Sequence, residues 1–257
     1  MSATQSHAGR FVWRELTTPD PAAAAAFYGA AFGWTAESAN MGMPYTMLRQ
    51  PGVEAAVGGA MAPQMEGVPP HWLDYITVDD LEASVARVPE LGGTLLTEIM
   101  TVPGTGRFAV VRDPLGGVFA LFVGENPGAT ETPARPPAGT FCWSQLMSSN
   151  LDVSVPFYTA LFGWTSAPMG DAMVVFNTTD GVSRASAMAI PEGSPQPTAW
   201  LQYIAVDDAK ASFATATGSG ATTIAPPATM PGMGEFAVLA DPTGAVFAIW
   251  KDLQARA

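Results

Sequence analysis

The chain has 257 residues, of which 48% are hydrophobic and 13% are charged. Such a sequence has enough apolar side chains for hydrophobic cores and too few charges for a disordered chain, and its length predicts about two domains. The formal net charge of −12 repels phosphate backbones and anionic lipid headgroups. We therefore expect neither nucleic acid nor a membrane surface as a partner. The charge would favour a neutral or cationic small molecule as the ligand, although many acidic proteins carry such a charge for solubility alone.

The sequence also bears on the cellular compartment. Cys142 is the single cysteine, so the chain cannot form an internal disulfide. Residues 1–10 contain no apolar run of signal-peptide length, and no stretch of about 18 apolar residues is available to span a bilayer. A cytoplasmic location is the expectation.

The first predicted elements are a strand and a helix. Side chains over residues 11–16 alternate in character as in a strand. Asp20 and Pro21 are typical of a helix start, because proline is tolerated in the first turn of a helix. Aromatic side chains over residues 21–32 have helical spacing, and Gly33 ends the helix. The next predicted elements are short strands over residues 45–48 and 53–61.

The same succession of elements then repeats. A strand over residues 73–78 leads into Asp79 and Asp80, which are typical caps of the helix predicted over residues 81–91. The strand-like runs that follow cover residues 95–99, 108–112 and 118–123. Each part is therefore predicted to be a βαβββ module, with one strand, one helix and three further strands.

The chain is a tandem duplication. Four blocks of the first half return in the same order in the second half, which is the signature of an internal repeat. The paired blocks are 11–16 and 141–146, 27–34 and 157–164, 72–76 and 200–204, and 108–114 and 236–242. Prolines cluster between the halves, as in an extended connector. We therefore predict domains at residues 10–125 and 140–253, joined by a linker over residues 126–139.

Motifs in each half resemble the vicinal oxygen chelate superfamily, which includes glyoxalases, bleomycin resistance proteins and extradiol dioxygenases. A helix end with the pattern FY-x-x-x-FGW covers residues 27–34 and returns at 157–164, and a D-P-x-G turn at 113–116 returns at 241–244. The W-x-[EQ]-L and W-L-x-Y segments are similar to a tandem glyoxalase-like subfamily. The resemblance implies an α+β fold of two tandem domains, each a pair of βαβββ modules forming a curved mixed sheet around a cleft.

The resemblance also implies one divalent metal ion in a cleft. Its ligands would be a His on the first strand, a Glu late in the first module, a His on the fifth strand and a Glu on the last strand. The first, third and fourth positions align with Trp13, Leu73 and Ala120, and in the second half with Trp143, Leu201 and Ala248. None of these side chains can coordinate a metal, so we expect neither a metal nor another cofactor. An unorthodox site of Glu15, His71 and Glu54 is the alternative.

Strand alternation predicts which side chains line the clefts. If Trp13 faces the cleft, Phe11 and Glu15 face it too, whereas Val12 and Leu16 face the helices. The residues predicted to bind a ligand are Trp13, His71, Leu73, Ala120, Phe122, Trp143, Gln145 and Tyr203. This apolar and aromatic lining suits a small organic ligand. Each residue also has a structural alternative, with the tryptophans in the core and the tyrosines bonded to backbone groups.

Three interpretations of this lining stay open. The first is metal-independent binding of a small aromatic or cationic molecule, as in the drug-sequestering members of the superfamily. The second is a glyoxalase-like lyase or isomerase, or a hydroxylase-like enzyme, with Glu15 as general base and Tyr75 steadying an oxyanion. Gln145 replaces Glu15 in the second domain, so only the first domain could perform this catalysis. The third is structural duplication, with the chain a monomer that mimics a dimer, or a homodimer.

Overall fold

The computed structural model describes residues 8–125, 136–178 and 181–253. Residues 126–135, which form most of the predicted linker, lie outside the described residues. Within these ranges, none of the helices has the length and apolar character needed to cross a bilayer.

The first tandem domain contains two helices and nine strands among the described residues. The helices are α1 (Pro21–Phe32) and α2 (Leu81–Glu90). The strands are β1 (Phe11–Thr17), β2 (Thr35–Asn40), β3 (Pro44–Arg49), β4 (Ala56–Met61), β5 (His71–Thr77), β6 (Thr94–Leu95), β7 (Met100–Val102), β8 (Gly106–Arg112) and β9 (Val118–Gly124).

The second tandem domain repeats this arrangement with two helices and eight strands in its described part. The helices are α3 (Leu151–Phe162) and α4 (Ala209–Gly218). The strands are β10 (Phe141–Ser148), β11 (Thr165–Met169), β12 (Met173–Asn177), β13 (Ser183–Ala189), β14 (Ala199–Ala205), β15 (Thr222–Met230), β16 (Gly234–Ala240) and β17 (Val246–Asp252).

Each tandem domain contributes one mixed sheet. The order in the first sheet is β2-β3-β4-β1-β5-β9-β8-β6, with β7 paired to β8, and the order in the second is β11-β12-β13-β10-β14-β17-β16-β15. The central pairs β1–β4, β5–β9, β10–β13 and β14–β17 are parallel, while the outer pairs are antiparallel. The predicted α+β architecture of four βαβββ modules is confirmed.

Local sequence signals place the helix ends as predicted. The Asp20 carboxylate accepts a hydrogen bond from the Ala23 backbone N–H, and Pro21 lies in the first turn of α1. Gly33 then ends the helix with φ of 75°, in the left-handed region that glycine adopts at little cost. Asp80 caps α2 through the same kind of bond. These caps fix where each helix begins above its sheet.

Strand β2 was not among the predicted elements. Its sequence, TAESAN, has little β-branched or aromatic character, and the strand forms the edge of the first sheet. It is held by antiparallel pairing to β3 from Thr35–Arg49 through Asn40–Pro44. Pairing to a neighbour rather than intrinsic propensity therefore forms this strand.

Packing divides the chain into two compact units, and each unit takes one module from each tandem domain. Unit 1 consists of the described parts of residues 1–13, 73–132 and 144–200. Unit 2 consists of the described parts of residues 14–72, 133–143 and 201–257. Helices α2 and α3 pack together in unit 1, and α1 and α4 pack together in unit 2.

The core of each unit lies between its helices and one face of its strands. In unit 2, Phe27 of α1 packs with Leu16, Leu48 and Ala60 of three neighbouring strands. In unit 1 the corresponding core includes Phe157 of α3 and these strand residues: Ile76, Phe119, Leu121, Leu146, Ala185 and Ala187. None of the four described helices contributes to the other face of the strands, and we call this the helix-free face of that unit.

The prediction for Phe11 is wrong. Its ring does not lie on the helix-free face but in the core of unit 1, where it stacks on Trp164 with the ring centroids 5.9 Å apart. It also meets the edge of Trp200 at 5.6 Å. Burial between two indoles outweighs strict alternation at this first residue of β1.

A buried tyrosine hydroxyl connects distant segments of unit 2. The Trp72 indole N–H donates to the Tyr28 hydroxyl at 2.7 Å, and this hydroxyl donates to the Asp241 carboxylate at 3.2 Å. The other carboxylate oxygen of Asp241 accepts backbone N–H bonds from Thr243, Gly244 and Ala245 in the D-P-x-G turn. Burial and the charge of Asp241 raise the pKa of Tyr28, which keeps the hydroxyl protonated as a donor.

Unit 1 contains the same network. The Trp200 indole N–H donates to the Tyr158 hydroxyl at 3.0 Å, and this hydroxyl donates to the Asp113 carboxylate at 2.9 Å. The turn after Asp113 closes on the second carboxylate oxygen through the backbone N–H groups of Leu115 and Gly117. Each turn that the sequence predicts is therefore also a buried attachment point for a tyrosine of the other tandem domain.

Replacing Tyr28 by Phe removes the hydroxyl at the centre of the unit 2 network. We expect the free energy of unfolding to fall by about 1–3 kcal/mol, because a buried indole N–H and a buried carboxylate oxygen each lose a partner. Tyr158→Phe makes the same change in unit 1 and should cost a similar amount. Urea denaturation followed by circular dichroism measures both variants.

Tyr45→Phe is the matched control, because it makes the same chemical change at a half-buried tyrosine outside these networks. It should destabilise the protein less than either buried variant does. A loss below about 0.5 kcal/mol for both Tyr28→Phe and Tyr158→Phe would contradict the role given to the networks.

Candidate functional site

An aromatic surface covers the helix-free face of unit 1. Leu73, Tyr75 and Ala120 form a buried cluster of their own, separate from the core beneath the helices. The partly buried side chains packed around this cluster are Val12, Trp13, Phe108, Val110, Val118 and Phe122. We call this set the aromatic face. Four of the predicted ligand-binding residues, Trp13, Leu73, Ala120 and Phe122, belong to it.

The tyrosine at the centre of the aromatic face is held by its neighbours. The Tyr75 ring lies 5.2 Å from the Phe108 ring and 6.2 Å from the Phe122 ring, centroid to centroid. Val12 also packs here, although alternation predicts that it faces the helices. Val12 and Trp13 are consecutive residues that pack on the same face, so the start of β1 departs from regular alternation. The face is therefore a connected apolar surface.

Glu15 lies on the helix-free face of unit 2, where a tyrosine contacts it. The Tyr45 hydroxyl donates to a Glu15 carboxylate oxygen at 2.9 Å. The Tyr45 ring lies over Gly59, so close that a Cβ at residue 59 would overlap the ring. Gly59 is also the direct cross-strand partner of Glu15. The absence of a side chain at residue 59 is thus what allows the two groups to meet.

Strand register extends this arrangement into a row of side chains across unit 2. Met47 pairs with Gly59, and Glu37 pairs with Met47, so the row runs Glu37, Met47, Gly59, Glu15. Residues paired directly across strands share a face of the sheet. Glu37 forms an exposed ion pair with Arg49 at 2.9 Å. The row therefore carries two carboxylates, and the outer one forms an ion pair with Arg49.

The second tandem domain has the same row in unit 1 with different chemistry. Register places Ser186 opposite Gln145, Val175 opposite Ser186 and Ala167 opposite Val175. The Gln145 amide donates to the Ser186 hydroxyl at 3.2 Å and contacts the Met173 sulfur at 3.5 Å. This row has no charged side chain, and Gln145 is buried.

The helix-free face of unit 2 also includes strands of the second tandem domain. Tyr203 and Ala248 are paired and buried, and the Tyr203 ring lies 6.4 Å from that of Trp250. Trp143 is half-buried on β10. The Cys142 thiol donates to the Tyr203 backbone carbonyl at 3.4 Å, and burial raises the pKa of this thiol to about 12. Cys142 is therefore a neutral packing group at physiological pH and not a nucleophile.

The metal alternative fails among the described residues. No three His, Cys, Asp or Glu side chains in these ranges come together in a way that could hold a metal ion. Glu15, His71 and Glu54 therefore do not form the unorthodox site. The His71 imidazole instead contacts the Pro69 carbonyl through Nδ1 at 2.8 Å, at a position near the surface. The donor set does not fit the divalent cation that the family resemblance implies.

The two predicted catalytic residues lie in different units, Tyr75 in unit 1 and Glu15 in unit 2. The residues that sequence reasoning missed are Tyr45, Met47 and Gly59. Their signal was present but incomplete: residues 45–48 and 53–61 were predicted as strands, yet no sequence pattern gives the register between them. Register alone determines that Tyr45 reaches Glu15 across Gly59.

Comparison with known proteins gives one family. The sequence model described as a glyoxalase-like domain matches residues 13–122 and 145–250. The chain is 34% identical over 248 residues to the Mycobacterium bovis protein named "Putative glyoxylase CFP32", covering 93% of both chains. It is 31% identical over 261 residues to "Anthracycline biosynthesis protein DnrV" of Streptomyces peucetius, covering 94% of this chain and 92% of that protein.

Among solved structures, the chain resembles the Mn(II)-bound glyoxalase from Novosphingobium aromaticivorans. The TM-score is 0.63 at 18% sequence identity, and the match covers 96% of this chain and 83% of that one. At this identity the likeness shows the fold and nothing about the site.

Proposed function

The chain belongs to the glyoxalase-like family of the vicinal oxygen chelate superfamily, and from that premise we propose that it binds a small aromatic or cationic organic molecule without a metal ion. The ligand would lie on the helix-free face of a unit, as we expect for a drug-sequestering protein. We propose further that the protein works in the cytoplasm, as a monomer whose two domains mimic a dimer or as a homodimer.

The observation that carries this proposal is the aromatic face of unit 1. Its rings and aliphatic side chains are joined into one surface around Tyr75, and several of them are only partly buried. Aromatic side chains provide large apolar contact area and few competing polar groups, which favours flat organic ligands. Trp13, Phe108 and Phe122 are the half-buried aromatic members that could contact such a ligand.

The chemistry of the aligned ligand positions favours a metal-free site. Trp13, Leu73 and Ala120 offer carbon and an indole N–H, none of which coordinates a divalent cation. The Novosphingobium glyoxalase is Mn(II)-bound, but at 18% identity its likeness to this chain shows the fold alone. The residues present therefore support binding through apolar contact and hydrogen bonds.

One of the relatives supports an aromatic ligand. The Streptomyces protein DnrV is named for anthracycline biosynthesis, and anthracyclines are polycyclic aromatic compounds. This relative aligns over 94% of the chain, so the comparison concerns both tandem domains. A polycyclic aromatic compound is therefore a reasonable first ligand class for the aromatic face.

A second candidate function is glyoxalase-like isomerisation in the first domain. The hydrogen bond from Tyr45 to Glu15 favours it, because a carboxylate held in place by a hydroxyl is a suitable general base. Glu15 would take the proton from the hydroxyl-bearing carbon of a 2-oxoaldehyde–thiol adduct and return it to the neighbouring carbon, giving a thioester. The hydroxyl next to Glu15 is that of Tyr45, whereas Tyr75 lies in unit 1 and takes no part in this scheme.

Binding is tested with 1-naphthalenemethanol, a neutral aromatic probe, in buffer containing EDTA. We expect saturable binding by ligand-observed NMR, and about tenfold weaker binding after Phe122→Ala, because a ring on the aromatic face is lost. Trp250→Ala is the matched control. It removes the ring that occupies the position of Phe122 in the second domain and leaves the aromatic face of unit 1 intact. An affinity that requires added metal, or one that Phe122→Ala leaves unchanged, would argue against the proposal.

Isomerisation is tested with the hemithioacetal of phenylglyoxal and glutathione, by following thioester absorbance. If the first domain is an enzyme, Glu15→Gln should lower kcat by about 100-fold or more, since general base catalysis contributes roughly that factor. Glu54→Gln removes the same charge from an exposed loop and should leave kcat unchanged. Wild-type protein without turnover, or full turnover in Glu15→Gln, would eliminate this candidate.

A further inference from the structure

We infer that the first tandem domain discriminates in favour of ligands that carry a protonated amine, through the Glu15 carboxylate and the Tyr45 ring over Gly59, and that the second domain lacks this selectivity. The inference rests on the proposed binding function and names the ligand class that one of the two domains prefers. All residues that carry it lie in unit 2.

The geometry offers a carboxylate and an aromatic ring to the same ligand group. The Tyr45 hydroxyl donates to one Glu15 oxygen at 2.9 Å, which orients the carboxylate on the helix-free face. The Tyr45 ring occupies the space above Gly59, between Glu15 and Met47 in the cross-strand row. An ammonium group placed against this ring would therefore be beside the carboxylate as well.

The chemistry of these groups suits a cation. An ammonium group gains a charge-assisted hydrogen bond from a carboxylate and an attraction to the face of a tyrosine ring. The thioether of Met47 is apolar and polarizable, and it can contact the carbon atoms next to the amine. The Arg49 guanidinium on this face is engaged by Glu37, so its charge is already matched. The net charge of −12 adds attraction at long range.

The second domain provides an internal comparison. At the positions that match Glu15, Gly59 and Tyr45, the second domain has Gln145, Ser186 and Met173. The Gln145 amide donates to Ser186, so this row presents neither a carboxylate nor an aromatic ring. Two domains with the same strand register thus differ at the positions that would recognise an amine.

The test compares two probes of the same shape, 1-naphthylmethylamine and 1-naphthalenemethanol, by ligand-observed NMR on the full chain at neutral pH. We expect wild-type protein to bind the protonated amine about tenfold more tightly than the alcohol. Glu15→Gln, which installs the residue of the second domain, should bring the ratio of the two dissociation constants close to one. Glu54→Gln removes an equal charge from an exposed loop and should keep the wild-type ratio.

Gly59→Ala is a second variant that changes no charge. Its Cβ would displace the Tyr45 ring together with the hydroxyl that orients Glu15, so the amine preference should fall by several-fold. Urea denaturation confirms that each variant is folded before binding is measured.

The outcomes separate the two proposals. Equal affinity for both probes in wild-type protein, or an amine preference that survives Glu15→Gln, overturns the selectivity and leaves metal-free binding standing. An amine preference lost equally in Glu54→Gln would assign it to net charge and also overturn the inference. Failure of both probes to bind wild-type protein would overturn the proposed function and the selectivity together.

Discussion

The fold depends on a buried tyrosine hydroxyl in each unit. Tyr28 bonds to Asp241, 213 residues away, and Tyr158 bonds to Asp113. A buried carboxylate is costly unless donors surround it, and the turn's backbone N–H groups together with the tyrosine supply those donors. Each turn leads directly into the last strand of its domain, β9 or β17. The position of Phe122 and Trp250 on the helix-free faces therefore depends on these networks.

Much of this architecture could be predicted from local sequence. The bounds of α1, the caps at Asp20 and Asp80 and the left-handed Gly33 follow from short-range signals. The part of the aromatic face on β5 and β9 was also predictable, because alternation along these strands places Tyr75 and Phe122 opposite the core.

Long-range features could not be predicted in the same way. The D-P-x-G turns were recognisable as turns. Their sequence does not indicate that Tyr28 and Tyr158 are their hydrogen-bond partners. The meeting of Tyr45 with Glu15 depends on the register among three strands, and a shift of one residue would turn each side chain to the opposite face. The division into units that mix the two tandem domains is likewise a property of packing.

Duplication has let the two domains diverge at equivalent positions. The core residues beneath the helices correspond closely, with the Trp–Tyr–Asp network present in both units. On the helix-free faces, Glu15 and Tyr45 stand where the second copy has Gln145 and Met173. The constraint on buried polar groups has kept the scaffold alike, while the open faces have been free to change. This pattern is consistent with two domains that recognise different ligand groups.

Elemental analysis of divalent metals in tag-free protein tests metal-free binding most directly. The protein is incubated with Ni²⁺, Zn²⁺, Mn²⁺ and Fe²⁺ and passed through a desalting column, and metal is then measured per chain. The account predicts a value near zero, because the aligned positions carry Trp13, Leu73 and Ala120 and no cluster of donors exists among the described residues. About one tightly held metal ion per chain would contradict it.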